Sequence, residues 1–230
     1  TYLGKDPGNR VFQGSIERGQ GRTVRAVVWF SDIRGFTRMS GELPRDGLIA
    51  LINDVFEATE KALARHGGDV LKYMGDGLMG VFTAEGEEFH EEVRGSLMLR
   101  RSSASSADLF RNAREAAAEL QTALRGIRED RASQELPGAD LRVGVGLHYG
   151  DVSYGNIGAP GRLDFTVIGP SVNLASRVEG LCGKLEASVL ATEEFVVRDE
   201  HVGAWKSLGQ HEVKGVSEPI EVFELAQDEK

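Results

Sequence analysis

Cysteine is nearly absent. Cys182 is the single one in 230 residues, which excludes an internal disulfide, fits a reducing cytoplasm and leaves a thiol expected to pack in a helix rather than react. Basic charge is also short. The chain has 27 Lys and Arg against 36 Asp and Glu, a net charge of −9, whereas a protein that wraps a nucleic-acid backbone needs a basic face. Nucleic acid is therefore not an expected partner, and any phosphate site must be local. No apolar run approaches the roughly 20 residues that cross a bilayer, so membrane insertion by this segment is not expected. The N-terminus, TYLGKDPGNR, has neither an initiator methionine nor a signal-peptide pattern. The expectation is a piece of a longer cytoplasmic or cytoplasm-facing protein, with a regulatory or membrane-attached region upstream.

What is present is ordinary globular composition, 40% hydrophobic and 27% charged, enough for one full core. Residues 1–23 read as a lead-in loop with a short hairpin around Arg10 to Glu17, and 227–230 as a tail. Val24 to Phe30 is a near-continuous apolar run with β-branched residues, the pattern of a strand buried on both faces. Pro44 opens a helical segment with apolar residues at Leu48, Leu51, Ile52, Val55, Phe56 and Leu63, closed by Gly67-Gly68. HGGDV at 66–70 is near a GGDEF-type turn, but the Glu-Phe pair is missing, and the glycines read as a helix stop.

A hairpin about Gly75-Asp76-Gly77 follows. Residues 84–106 then carry acid, arginine and serine without a sustained period and read as a flexible insertion; Arg100-Arg101-Ser102-Ser103 within it reads as solvated linker rather than a kinase site. Ala107 to Arg128 has the composition and spacing of a helix. Leu141 to Tyr149 alternates as a strand, Gly150 to Ile168 reads as a second hairpin, and Pro170 to Gly183 reads as a helix carrying Asn173 and Arg177 four residues apart. His148, expected beside a Gly-Asp turn, lacks a Cys or His partner at metal spacing and reads as structural. Two strands around a Lys214-Gly215 turn close the chain. Alternating strands and helices with internal hairpins predict an α+β fold, helices packed on one sheet.

Two carboxylates stand out. Asp32 follows the apolar strand VVWFS, and Asp76 sits at the hairpin tip. Taken singly, Asp32 suits a helix cap and Asp76 a turn. Together they suit a divalent cation carried on nucleotide phosphates, because magnesium takes one or two protein carboxylates and completes its shell with phosphate and water.

FSDIRGFT, KYMGDG and DFTVIGPSVNLASR, in that order, resemble the signature blocks of class III nucleotidyl cyclases, and the resemblance covers about residues 24–226. It implies a ferredoxin-like palm core with a mainly antiparallel sheet, and formation of a 3′,5′-cyclic nucleotide and pyrophosphate from a nucleoside triphosphate. It further implies two divalent cations, Mg or Mn, held by Asp32, the Ile33 carbonyl and Asp76. Phosphates would lie against the amides of Gly35, Phe36 and Thr37, at the start of a helix, and against Lys214. Arg177 matches the transition-state arginine and Asn173 the residue that orients the ribose.

Lys72 matches the adenine-reading lysine where guanylyl members carry glutamate; an ammonium only donates, and so suits adenine N1. Thr166, seven residues before Asn173, matches the second base-reading position. It groups the sequence with members that include bicarbonate-responsive soluble adenylyl cyclases. ATP is the expected substrate. In the family one protomer supplies the metal aspartates and the other the base, ribose and transition-state residues. A chain carrying both sets is expected to be a homodimer with two shared sites. The alternatives are a guanylyl cyclase, disfavoured by Lys72, and a catalytically silent nucleotide-binding dimerisation module, which predicts loss of at least one of Asp32, Asp76, Asn173 and Arg177; none is missing.

Overall fold

The computed structural model describes residues 21–84, 106–159 and 162–226. The expected hairpin in the lead-in, the body of the insertion and the tail lie outside them. The elements run β1 (Gly21–Ile33), α1 (Phe36–Glu42), α2 (Arg45–Arg65), β2 (Asp69–Met74), β3 (Gly77–Thr83), α3 (Ser106–Ser133), β4 (Val143–Ala159), β5 (Arg162–Ile168), α4 (Pro170–Leu185), β6 (Val189–Thr192), α5 (Glu193–Val196), a 3₁₀ turn (Val202–Ala204), β7 (Trp205–His211) and β8 (Ile220–Leu225).

They form one eight-stranded sheet in the order β2-β3-β1-β4-β6-β8-β7, with β5 pairing the far half of β4. Every pairing is antiparallel except β4 with β6. This is the α+β palm architecture that the sequence implied.

β1 is central, and its alternation explains the layering. Val27, Trp29 and Ile33 face a core built with Leu51, Val55 and Leu63 of α2 and Leu120 and Leu124 of α3. Val24, Ala26 and Val28 face the opposite side, against Met79, Val81 and Ala175 of α4. Period-two side chains on a strand covered by helices on both faces leave no polar side, which is why the run reads as continuously apolar. The approach of α4 to the sheet is close enough to require glycine: a Cβ on Gly146 would lie 2.6 Å from the carbonyl oxygen of Ala175.

One reading of the sequence is corrected. Gly150 and Asp151 do not turn the chain; β4 runs straight through them, pairing with β1 from Val143 to Gly155. Arg25 reaches Asp151 across the ladder at 3.3 Å, and β4 continues to Ala159, which pairs with Arg162 of β5. Gly150 marks a close approach instead, since the Ser171 hydroxyl of α4 and His148 Nε2 crowd its empty side-chain position. His148 is buried, with Nδ1 2.8 Å from Thr192 Oγ1. The glycines of HGGDV end α2 as expected: His66 caps it, and Gly67 takes a φ of 77°. The Phe82 ring occupies the space beside Gly68. Helices α3 and α4 and strand β1 each run a few residues beyond their expected limits, and β6, α5 and the 3₁₀ turn were not foreseen.

Candidate active site

Where β1 ends, Asp32 lies opposite Gly77 in the β1–β3 register, so the tip of the β2–β3 hairpin brings Asp76 to it. The two carboxyls share a hydrogen bond. Burial first, then the Asp76 charge and that bond, push Asp32 from the usual carboxylate range up to about 6, against the opposing pull of Arg34 and the Ile33 amide. A dication would remove this repulsion, so the pair fits a metal site. Among the described residues no group of three or more His, Cys, Asp or Glu is placed to hold a metal. Remaining ligands would therefore come from main-chain carbonyl, phosphate and water, the usual habit of magnesium.

Directly after this pair the chain turns sharply at Gly35, whose φ of 69° is left-handed, and enters α1 with no side-chain cap. The first-turn amides of α1 are thus left for an outside acceptor, the condition for phosphate to sit there. Gly35 and Thr37 are exposed and Phe36 half-buried.

A second group lies on α4 and the segment between β7 and β8. Helix α4 buries Ala175, Val178 and Cys182, which turns Asn173 and Arg177 to the other side. The Arg177 guanidinium rests on Gly215, so Arg177 reaches the turn that carries Lys214. Lys72 is exposed on β2, opposite Met79. Thr166 is half-buried on β5, opposite Gly155, and β5 also contacts β2. Among the described residues no hydrogen bond or ion pair joins Arg177, Asn173 or Lys214 to Asp32 or Asp76. The aspartate pair and the Arg177–Gly215 contact are thus two groupings with no direct polar contact between them among the described residues.

Two residues of this region were missed. Arg34 extends past Gly144, where a Cβ would collide with its guanidinium, to α4. Its Nη2 donates to the Glu179 main-chain oxygen at 2.6 Å and lies 2.8 Å from Glu179 Oε1. The pairing to Oε1 is ionic only, because that oxygen has no well-directed hydrogen bond. Burial raises Glu179 to about 7; Arg34 counters this, while Asp32 and Asp76 reinforce it. The signal was available, since Glu179 sits on the stripe Ala175, Val178, Cys182, where an apolar residue is expected.

The sequence matches the model of the adenylate and guanylate cyclase catalytic domain over residues 20–227. The chain belongs to that family. The cyclase domain is 32% identical over 215 residues to an adenylate cyclase of Anabaena cylindrica, covering 92% of this chain and 38% of that one. It is 25% identical to adenylate cyclase 1 of Rhizobium meliloti, covering 86% and 27%. It thus spans well under half the length of these relatives. Among solved structures it superposes on the adenylyl cyclase CyaB from P. aeruginosa with a TM-score of 0.75 and 27% identity, covering 92% of this chain and 98% of that one. On the guanylyl cyclase Cya2 the TM-score is 0.70 at 24% identity, covering 90% and 94%, so the cyclase fold alone does not distinguish the two activities. No described helix of the domain is long and apolar enough to cross a membrane.

Proposed function

We propose that the domain is an adenylyl cyclase that converts ATP to 3′,5′-cyclic AMP and pyrophosphate at two equivalent sites shared across a homodimer. The observation that carries this reading is the apposition of Asp32 and Asp76 where β1 ends, while Arg177 sits against Gly215, next to Lys214, with no hydrogen bond or ion pair to either aspartate among the described residues. Each group is half of a site, and a two-fold dimer joins the aspartates of one protomer to the cations of its partner.

Asp32, Asp76 and the Ile33 carbonyl would hold two divalent cations, Mg or Mn, which when bound supply activation of the ribose 3′-hydroxyl and charge neutralisation on the departing pyrophosphate. The remaining work belongs to the side chains. Asn173 orients the ribose so that O3′ faces the α-phosphorus in line with the leaving oxygen. Arg177 donates to the α-phosphate oxygens as charge builds there, and its seat on Gly215 fixes the guanidinium before substrate arrives. Lys214 and the amides of Gly35, Phe36 and Thr37 hold the β- and γ-phosphates.

Lys72 donates to adenine N1 and Thr166 accepts from N6. Guanine presents a donor at N1, so Lys72 leaves it mispaired, and buried mispairing is what makes such a pocket selective. The choice of ATP over GTP rests on Lys72. Thr166 supports grouping with the bicarbonate-responsive soluble adenylyl cyclases, and an upstream regulatory region in a longer cytoplasmic or cytoplasm-facing protein accords with the relatives' greater length.

The test is incubation of purified protein with ATP or GTP and Mg or Mn, with products identified by mass. Cyclic AMP and pyrophosphate from ATP are expected; cyclic GMP as the main product, or no turnover with either metal, overturns the reading.

A further inference from the structure

Beyond the catalytic residues, a cleft of ≈ 880 Å³ opens at the end of the sheet where β4 and β6 begin and β8 ends. Its volume lies in the range of small-molecule sites. None of Lys72, Thr166, Arg177 or Lys214 lines it. One wall is a single face of α3, on which Arg114, Ala118, Gln121, Arg125 and Arg128 recur at alternating steps of four and three. Arg34 and Arg142 come from the adjoining ends of β1 and the lead-in to β4, and Val143, Val189 and Leu225 give an apolar floor.

In a chain of net charge −9 this cleft gathers five arginines against two carboxylates, Asp140 and Glu186. Some of that charge is structural. Arg34 is spent on Glu179, Arg114 on the buried Asp199 at 2.9 Å, and Asp140 is held by Arg38 at 2.8 Å. Arg128 gives one N–H to the Leu141 carbonyl at 3.3 Å. The C-terminal half of α3 also favours positive charge through the helix dipole, but that accounts only for the last turn. Arg125 and Arg142 are exposed, and among the described residues neither they nor Arg128 has a carboxylate within ion-pair reach. Three uncompensated guanidinium groups around an apolar floor form a receptor for carboxylate or phosphate groups, whose paired oxygens arginine engages through paired donors.

We propose that this cleft binds a small organic polyanion, a molecule with two or more phosphate or carboxylate groups, at a site separate from the catalytic residues. Two classes of small anion share the required chemistry. Tripolyphosphate and citrate serve as probes and distinguish them.

The test is calorimetric titration of the whole chain with each probe in metal-free buffer at about 0.15 M salt, where loosely attracted ions are screened. Saturable binding of at least one probe is expected. Arg125→Ala/Arg142→Ala should weaken it on the order of a hundredfold, since two charge-assisted contacts are lost. Arg125→Lys/Arg142→Lys, which keeps charge without the fork, should recover part of it. Lys214→Ala should leave citrate binding unchanged, and unaltered thermal unfolding of each variant establishes that the fold is retained. Three outcomes overturn the proposal: no saturation with either probe up to about 10 mM, a very weak association; equal binding by the double alanine variant; or binding of a polyglutamate peptide but of neither probe, which would assign the cleft to an acidic protein segment.

Discussion

The Arg177 guanidinium lies against the bare backbone of Gly215: a Cβ there would be 3.0 Å from Nη1 and 3.3 Å from Nη2. Gly215 also takes a φ of 75°, so a side chain is strained even before contact. Gly215→Ala should cost about 1 kcal/mol of stability and displace Arg177. Turnover should fall by more than about tenfold while the thermal midpoint drops only a few degrees, measured on the same preparation. Full activity would show that Arg177 does not depend on this seat.

Mixing two inactive variants tests the shared site. In a homodimer with shared sites, Asp32→Ala and Arg177→Ala would each remove one component from both sites. After free exchange of equal amounts, about half the dimers are mixed and each has one intact site of two, so activity should return to about a quarter of wild type. Asp32→Ala mixed with Asp76→Ala keeps a defect in every site and should stay inactive. Equal recovery in both mixtures removes the two-protomer arrangement.

Base choice is read by exchanging donor for acceptor. Lys72→Glu should lower ATP turnover and raise the relative use of GTP, because glutamate accepts from guanine N1 and N2. An unchanged ratio of initial rates means that Lys72 does not contact the base.

Glu179 makes stability depend on pH. Its carboxyl titrates near 4.5 in the unfolded chain and near 7 in the folded one, so between those values the folded state binds more protons and stability falls as pH rises. Unfolding of metal-free protein should show a loss between pH 5 and 8 about 2–3 kcal/mol larger than in Glu179→Gln, which keeps the smaller fall due to the raised Asp32 carboxyl. Parallel pH profiles for the two proteins count against a buried Glu179.

Cys182 is buried, with its thiol pushed up to about 12 by burial and its Sγ 3.4 Å from the Val145 carbonyl oxygen. Thiol reagents at pH 8 should leave the folded chain unmodified and react with one equivalent in denaturant. Rapid modification of the folded chain would place Cys182 at the surface.

Much of the fold was legible because its signals are local. The run Val24 to Phe30 could be read as a central strand since both faces are covered, and Gly67 marks the end of α2 through a backbone conformation that glycine adopts freely. Gly150-Asp151 misled for a related reason. A glycine beside an aspartate is what a turn requires, but it is equally what a straight strand requires where a helix presses against it, and only the seat of Ser171 of α4 shows which applies. Glu179 stood in the apolar stripe of α4 without a visible reason, because its partner Arg34 lies 145 residues away.

By itself the sequence determined most of the longer helices and strands, the order of the signature blocks and the residue types that the proposed chemistry draws on, since periodicity, turn propensity and donor or acceptor character belong to each residue and its near neighbours. The tertiary structure alone decided which of those residues meet. Strand register set Asp76 against Asp32, and the packing of α4 against the sheet directed Glu179 inward to Arg34 and Arg177 outward to Gly215. Long-range contacts depend on how whole elements pack, and no local stretch of residues encodes that.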